Sequence, residues 1–171
     1  MLKNVIRGKY GLVCSFTGHR KIKKEHKGAL PSLVARAIAY AYSKGVRTFL
    51  CGGAVGFDTC AAREVIKFRI SHPDVRLVLA LPCVEQDKLW SDAERDAYEY
   101  TLAVANEIIY VSEEYTPSCM RERNMRLASE ADILVCYVGN SRSGAAQTVR
   151  MAERLGKEIY NLYPTLDKAL V

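Results

Sequence analysis

Three glycines stand between the apolar run Thr48-Phe49-Leu50 and a segment of helical periodicity, in Cys51-Gly52-Gly53-Ala54-Val55-Gly56-Phe57-Asp58. Strand, glycine loop, helix is the order that builds a phosphate cradle. Glycine lets the backbone turn tightly and approach a ligand, and the helix N-terminus presents unpaired N–H groups to an anion. A side chain at Gly52, Gly53, Ala54 or Gly56 larger than these would hold phosphate off the backbone. A second small-residue loop, Gly139-Asn140-Ser141-Arg142-Ser143-Gly144, runs into a helix that carries Gln147 and Thr148. Its Gly139, Ser141, Ser143 and Gly144 suit phosphate or ribose oxygens, and Gln147 suits a polar edge. Two such loops on adjacent strands point to a nucleotide more strongly than either alone. A tight strand-to-helix turn would use the same glycines without any ligand, and Ser143 is also an ordinary helix cap.

Other groups can fix charge. Thr17-Gly18-His19-Arg20 follows the first apolar run; Thr17 offers a hydroxyl, and Arg20 can hold a phosphate bidentately. Arg121, Arg123 and Asn124 open a later helix, where one of them can reach the cleft as an anion clamp, while Arg126 reads as surface. Asp58 either caps its helix or accepts from ribose, because a carboxylate beside phosphate is repelled. His19 can act as acid or base, though an isolated histidine is more often a bystander. Trp90, Tyr98 and Tyr100 offer stacking surfaces, or core. The pattern lacks G-x-G-x-x-G and the Lys-Ser/Thr of a P-loop, which disfavours ATP hydrolysis of the P-loop kind.

These loops need elements to position them. Leu12 to Phe16 reads as a first strand ended by Thr17-Gly18. Leu30, Leu33, Val34, Ala37, Ile38 and Ala41 mark a helix over 29–43, with Gly45 as its stop. Strands follow at 47–51, 75–81, 108–111, 133–138 and 158–162. Helices are expected at about 57–70, from the capping box Ser91-Asp92-Ala93-Glu94 to about Ala105, at 118–130 and at 143–155. Alternating strands and helices with continuous apolar strands predict an α/β fold. The expectation is a three-layer, Rossmann-like, doubly wound, mostly parallel sheet flanked by helices, with residues 1–171 as one domain. Ligands in such sheets bind beyond the C-terminal strand ends, which brings 17–20, 52–58 and 139–144 together.

Composition narrows the class. The chain has 171 residues and a formal charge of +6, mildly basic and suited to an anionic ligand. His19 to Lys27 holds five Lys or Arg and one acid, either a solvated loop or a rim that attracts phosphate. The six cysteines form no C-x-x-C pair, so reduced thiols in a cytoplasmic protein are the simplest account and no metal is expected. The N-terminal residues lack the apolar core of a signal peptide, and no apolar run is long enough for a bilayer.

The chain resembles the SLOG superfamily, and within it the YpsA-like proteins. The resemblance rests on Thr17-Gly18-His19-Arg20, Gly52-Gly53-Ala54 with Gly56-Phe57-Asp58, Pro82 followed by Gln86 and Trp90, and Arg123-Asn124 before Ala131-Asp132, over roughly residues 10–163. It implies a Rossmann-like domain that binds a nucleotide or a nucleotide-derived ligand, such as an NAD or ADP-ribose type molecule, as a sensor or regulator. It also makes homo-oligomers plausible. Two related groups imply rivals. LOG enzymes cleave the N-glycosidic bond of nucleoside monophosphates; Arg123 falls on their arginine, but Asn124 replaces their lysine and Thr148 stands where they carry an acid. DprA-like proteins share Gly56-Phe57-Asp58 and bind single-stranded DNA, yet no separate DNA module is visible. The expectation is therefore a ligand-binding site without assigned catalytic residues.

Overall fold

The computed structural model describes residues 5–139 and 142–169. Six strands form one sheet: β1 (Val13–Gly18), β2 (Thr48–Cys51), β3 (Arg76–Leu81), β4 (Glu107–Tyr110), β5 (Ile133–Tyr137) and β6 (Glu158–Asn161). Their order is β4-β3-β2-β1-β5-β6, and every neighbouring pair is parallel. Seven α-helices accompany them: α1 (Val5–Tyr10), α2 (Leu30–Ser43), α3 (Phe57–Ser71), α4 (Asp92–Val104), α5 (Cys119–Glu130), α6 (Gly144–Arg154) and α7 (Tyr163–Lys168). The three-layer, doubly wound architecture is the one expected.

Chain direction explains which face each helix covers. From β1 to β4 the strands step one way, and α2, α3 and α4 cover one face. After β4 the chain returns along α5 to the far side of β1 and steps the other way, so right-handed crossovers put α5 and α6 on the opposite face. Alternate residues of each strand feed the two layers. Phe49 and Cys51 pack under α2 and α3 with Phe16, Leu79 and Val135, while Leu50 packs with Val13, Val78 and Leu127 on the α5 side. Leu30, Val34, Ile38 and Ala41 form the buried stripe of α2, which stops at Gly45 in the left-handed conformation. Both halves of the Ser91–Glu94 capping box are present at α4.

Four features of the fold differ from those expected. First, β1 runs through Thr17 and Gly18, which pair with Cys136 and Tyr137 of β5. A Cβ on Gly18 would meet the Phe57 ring at 2.5 Å, so the glycine admits that ring rather than ending the strand. Second, the strands before the two small-residue loops are not adjacent, since β1 lies between β2 and β5. The other two features are helices. In α7, Pro164 occupies the first turn and Leu166 is buried. In α1, Ile6 is buried, the Arg7 N–H donates to Glu130 Oε2 at 3.0 Å, and Arg7 Nε donates to Asp132 Oδ1 at 2.9 Å. Asp132 Oδ2 accepts from the Val13 N–H at 2.9 Å, so one carboxylate ties α1 to the start of β1.

If α1 is an integral part of the second layer, Ile6→Ala costs about 2–4 kcal/mol in urea unfolding, the range for emptying a buried aliphatic site. Leu12→Ala, at a side chain 38% exposed, costs well under half of that.

Candidate functional site

The reversal of strand order falls between β1 and β5, and a cavity of about 280 Å³ opens beyond the strand ends there. Thr17, Gly18, Arg20, Ala54, Asp58, Arg123, Asn124, Ser143 and Gly144 all border it, together with His19, Met120, Leu127 and Ala145. The three loops predicted from glycine patterning and one helix end thus converge on one space. Thr17 reaches it because its parity in β1 is that of Val13, toward α5. The loop after β2 is laid directly on the exit of β1. The Phe57 N–H donates to the His19 carbonyl at 3.1 Å, and a Cβ on Gly56, at φ 79°, would strike the Arg20 backbone.

A polar knot forms the cavity wall. Arg123, 6% exposed, leaves the first turns of α5 and donates through Nη1 to the Gly52 carbonyl and through Nε to Asn124 Oδ1 at 2.8 Å. That bond fixes the Asn124 amide so that its NH2 group faces Gly144, whose absent Cβ would lie 3.6 Å from Nδ2. Asp58, 5% exposed, is the second residue of α3. It does not cap the helix, since Gly56 is the N-cap and receives no side-chain bond. Asp58 Oδ2 instead accepts from the Ala54 N–H at 3.1 Å, while its buried Oδ1 has no partner among the described residues. Burial pushes the Asp58 carboxyl up to about 6, against the opposing pull of Arg123, the Ala54 N–H and Arg20. Burial also lowers Arg123 from its ordinary value. A Cβ on Gly52 would stand 2.9 Å from Arg123 Nη1 and 3.0 Å from Asp58 Oδ2, so this glycine makes room for both charged groups.

Across the cavity Ser143 caps α6, its Oγ accepting from the Ala146 N–H at 3.0 Å. The end of α6 therefore faces the space with Gly144 at its first position. Thr148 is fully buried and donates its hydroxyl to the Gly144 carbonyl at 3.0 Å, inside its own helix. His19 accepts the Gly139 N–H at Nε2 over 2.8 Å, and burial lowers its basicity, so the ring acts as a neutral acceptor.

Other residues go elsewhere. Gly53, at φ 69°, packs on Leu81, Gln86 and Tyr98, and its carbonyl accepts from Gln86 Nε2. Gly139 lies against the Tyr163 ring in a neighbouring cleft, and Gln147 is exposed on α6 away from the cavity. Ser141 lies outside the described residues. Arg121 is exposed. Glu122 is exposed and accepts from the Ser118 hydroxyl at 3.0 Å, and neither residue borders the cavity. Arg126 is not a free surface residue. Its side chain is 18% exposed and pairs with Glu130 at 3.6 Å. Tyr98 is buried edge-on to Trp90 with ring centroids 5.1 Å apart, while Tyr100 is exposed. One network carried no sequence signal. His26, buried in a 3-10 turn at Lys24–His26, holds Tyr137 Oη and Asp167 Oδ1, each at 2.7 Å, and so anchors the 19–27 segment to β5 and α7.

Comparison with known proteins adds family context. A model of the YspA SLOG family (YpsA) matches residues 17–163. The uncharacterized SPbeta prophage-derived protein YoqJ of Bacillus subtilis (strain 168) is 32% identical over 133 residues, covering 70% of this chain and 78% of YoqJ. A UPF0398 protein of Bacillus thuringiensis (strain Al Hakam) is 21% identical, covering 88% of this chain and 87% of its own length. Among solved structures, DNA processing protein A of Streptococcus pneumoniae superimposes with a TM-score of 0.62 at 15% identity, over 88% of this chain and 50% of that one. DNA processing protein A of Helicobacter pylori, described with a single-stranded DNA binding mode, does so at 0.63 and 17%, over 91% and 66%. At these identities the two share the fold. Six free cysteines are present, and no helix among the described residues is long and apolar enough to cross a membrane.

Asp58 predicts an unusual pH response. Its charged form is the disfavoured one in the fold, so its contribution to stability is greatest below about 3.8, the ordinary carboxylate value, and declines as pH rises through about 6. Asp58→Asn removes that decline. Urea unfolding at pH 4 and pH 7 checks it, with the variant gaining on the parent as pH rises. A gap that is flat with pH contradicts the assignment.

Proposed function

The chain belongs to the YspA SLOG family, and on that premise we propose that the cavity beyond β1, β2 and β5 binds a nucleotide or nucleotide-derived ligand by its phosphate. One observation carries the reading. A cavity at the switch point brings the N-terminus of α6 and the cations Arg20 and Arg123 together with the small residues Gly18, Ala54 and Gly144. The helix end and the cations attract an anion. The Asn124 amide donates to phosphate or ribose oxygen, and Asp58 accepts from a hydroxyl. A space of about 280 Å³ sits at the small end of ligand pockets, suited to a phosphoribosyl unit.

A second reading is favoured by Asp58 itself. A carboxyl that titrates at about 6 and borders the phosphate cavity can serve as general base for N-glycoside hydrolysis. Water would give its proton to Asp58 and its oxygen to the sugar carbon, while the base leaves with the electron pair of the C–N bond. The assay is release of free base from nucleoside monophosphates. Release that disappears in Asp58→Asn supports hydrolysis, and no release from any of them removes it.

The binding reading is tested by thermal shift with AMP, ADP-ribose and NAD. A bound ligand at a hundredfold over its Kd raises Tm by about 5 °C or more. Gly53 is a poor site for a blocking variant, because any side chain there strains the backbone. Gly144 is better: its Cβ position is unobstructed, and an acid in the first turn favours the helix. Gly144→Asp should keep or raise the unliganded Tm and weaken ligand binding more than about tenfold, the cost of roughly 1.4 kcal/mol of lost attraction. If none of the three ligands shifts the parent protein, the reading is wrong.

A further inference from the structure

A second, larger concavity of about 740 Å³ lies on the other side of the glycine loop, between α2, α3 and the start of α4. The loop is the partition: Ala54 borders the inner cavity, Val55 and Gly56 border the groove, and Arg20 borders both. Five cations ring the groove, and four of them, Arg20, Lys21, Lys27 and Arg63, have no ion pair or side-chain hydrogen bond among the described residues, while the fifth is Lys67. The two acids beside them are engaged. Glu64 pairs with Lys67 at 3.1 Å, and Glu94 accepts from the Ser91 N–H at 3.1 Å in the capping box. The floor between the charges is aliphatic, from Leu30, Pro31 and Ala97.

Five cations against two acids, around an apolar floor, suit a ligand that is anionic and carries a flat apolar group. The inner cavity is too small for such a molecule as well as a phosphoribosyl unit. We propose that the groove is a second compartment of the same site, and that the ligand is of dinucleotide class. Its first phosphate and sugar occupy the inner cavity, its second phosphate crosses at Arg20 and Lys21, and its far base lies on the aliphatic floor. The assignment rests on the phosphate reading of the inner cavity and adds the size and direction of the ligand.

Calorimetry on the full chain with AMP, a dinucleoside diphosphate and a short oligothymidylate tests it. The dinucleoside diphosphate should bind at least about tenfold more tightly than AMP, the modest end of what joining two subsites gives. Arg63→Glu and Lys27→Glu, both exposed positions, should erase that advantage while leaving AMP affinity within about twofold and Tm unchanged. Equal affinity of the two ligands in the parent overturns the second compartment while leaving the inner site standing. A variant that weakens AMP and the dinucleoside diphosphate alike overturns it as well. Preference for the oligothymidylate over the dinucleoside diphosphate makes the groove a nucleic-acid surface and overturns the assignment. No binding of any of the three sinks both this inference and the phosphate reading.

Discussion

The bond from Arg123 to the Gly52 carbonyl is the constraint on which the site depends. It joins α5, which belongs to one helical layer, to the loop that leads into α3 in the other, across the end of the sheet. A buried guanidinium is costly unless its donors are met and a counter-charge is near. Gly52, Asn124 and Asp58 supply these together, and Gly52 can do so only because it has no side chain. The same knot leaves Asp58 Oδ1 without a partner among the described residues. Unmet polarity of this kind is tolerated where a ligand or proton completes it. The cluster that joins the two helical layers is therefore also part of the cavity wall.

Much of this was legible in the sequence where physics writes locally. The stripe of α2, the Ser91 capping box and the apolar runs of β2, β3 and β5 each lie within a few residues, and each element formed. The three loops were legible because glycine marks a strand-to-helix turn whatever its purpose. What was hidden depends on distant partners. Six residues of α1 carry too little periodicity to register, and their anchor, Asp132, is 125 residues away from Arg7. His26 meets Tyr137 and Asp167 across separations of 111 and 141. Arg126 and Gln147 show the limit on one helix face. Type suggested a surface arginine and a site glutamine, but the rotation of α5 and α6 half-buries the first and turns the second outward.

The strand order matters more than any single residue to the chemistry of the cavity. A carboxylate beside a phosphate is repelled, which makes Asp58 awkward in a phosphate loop, but β2 and β5, which lead into the two small-residue loops, are not adjacent. With β1 between them the two loops leave the sheet about 9–10 Å apart, two strand spacings. The start of α6 then lies on the β5 side of the cavity, and Asp58 lies on the β2 side. Arg123 and Arg20 act on Asp58 and draw its titration downward. Thr148 spends its hydroxyl inside its own helix and brings no acid to the α6 side of the cavity. On the phosphate reading proposed above, Asp58, beside Arg123 and Arg20 in the cavity wall, is where holding a sugar and cleaving its glycosidic bond would differ by a single proton transfer.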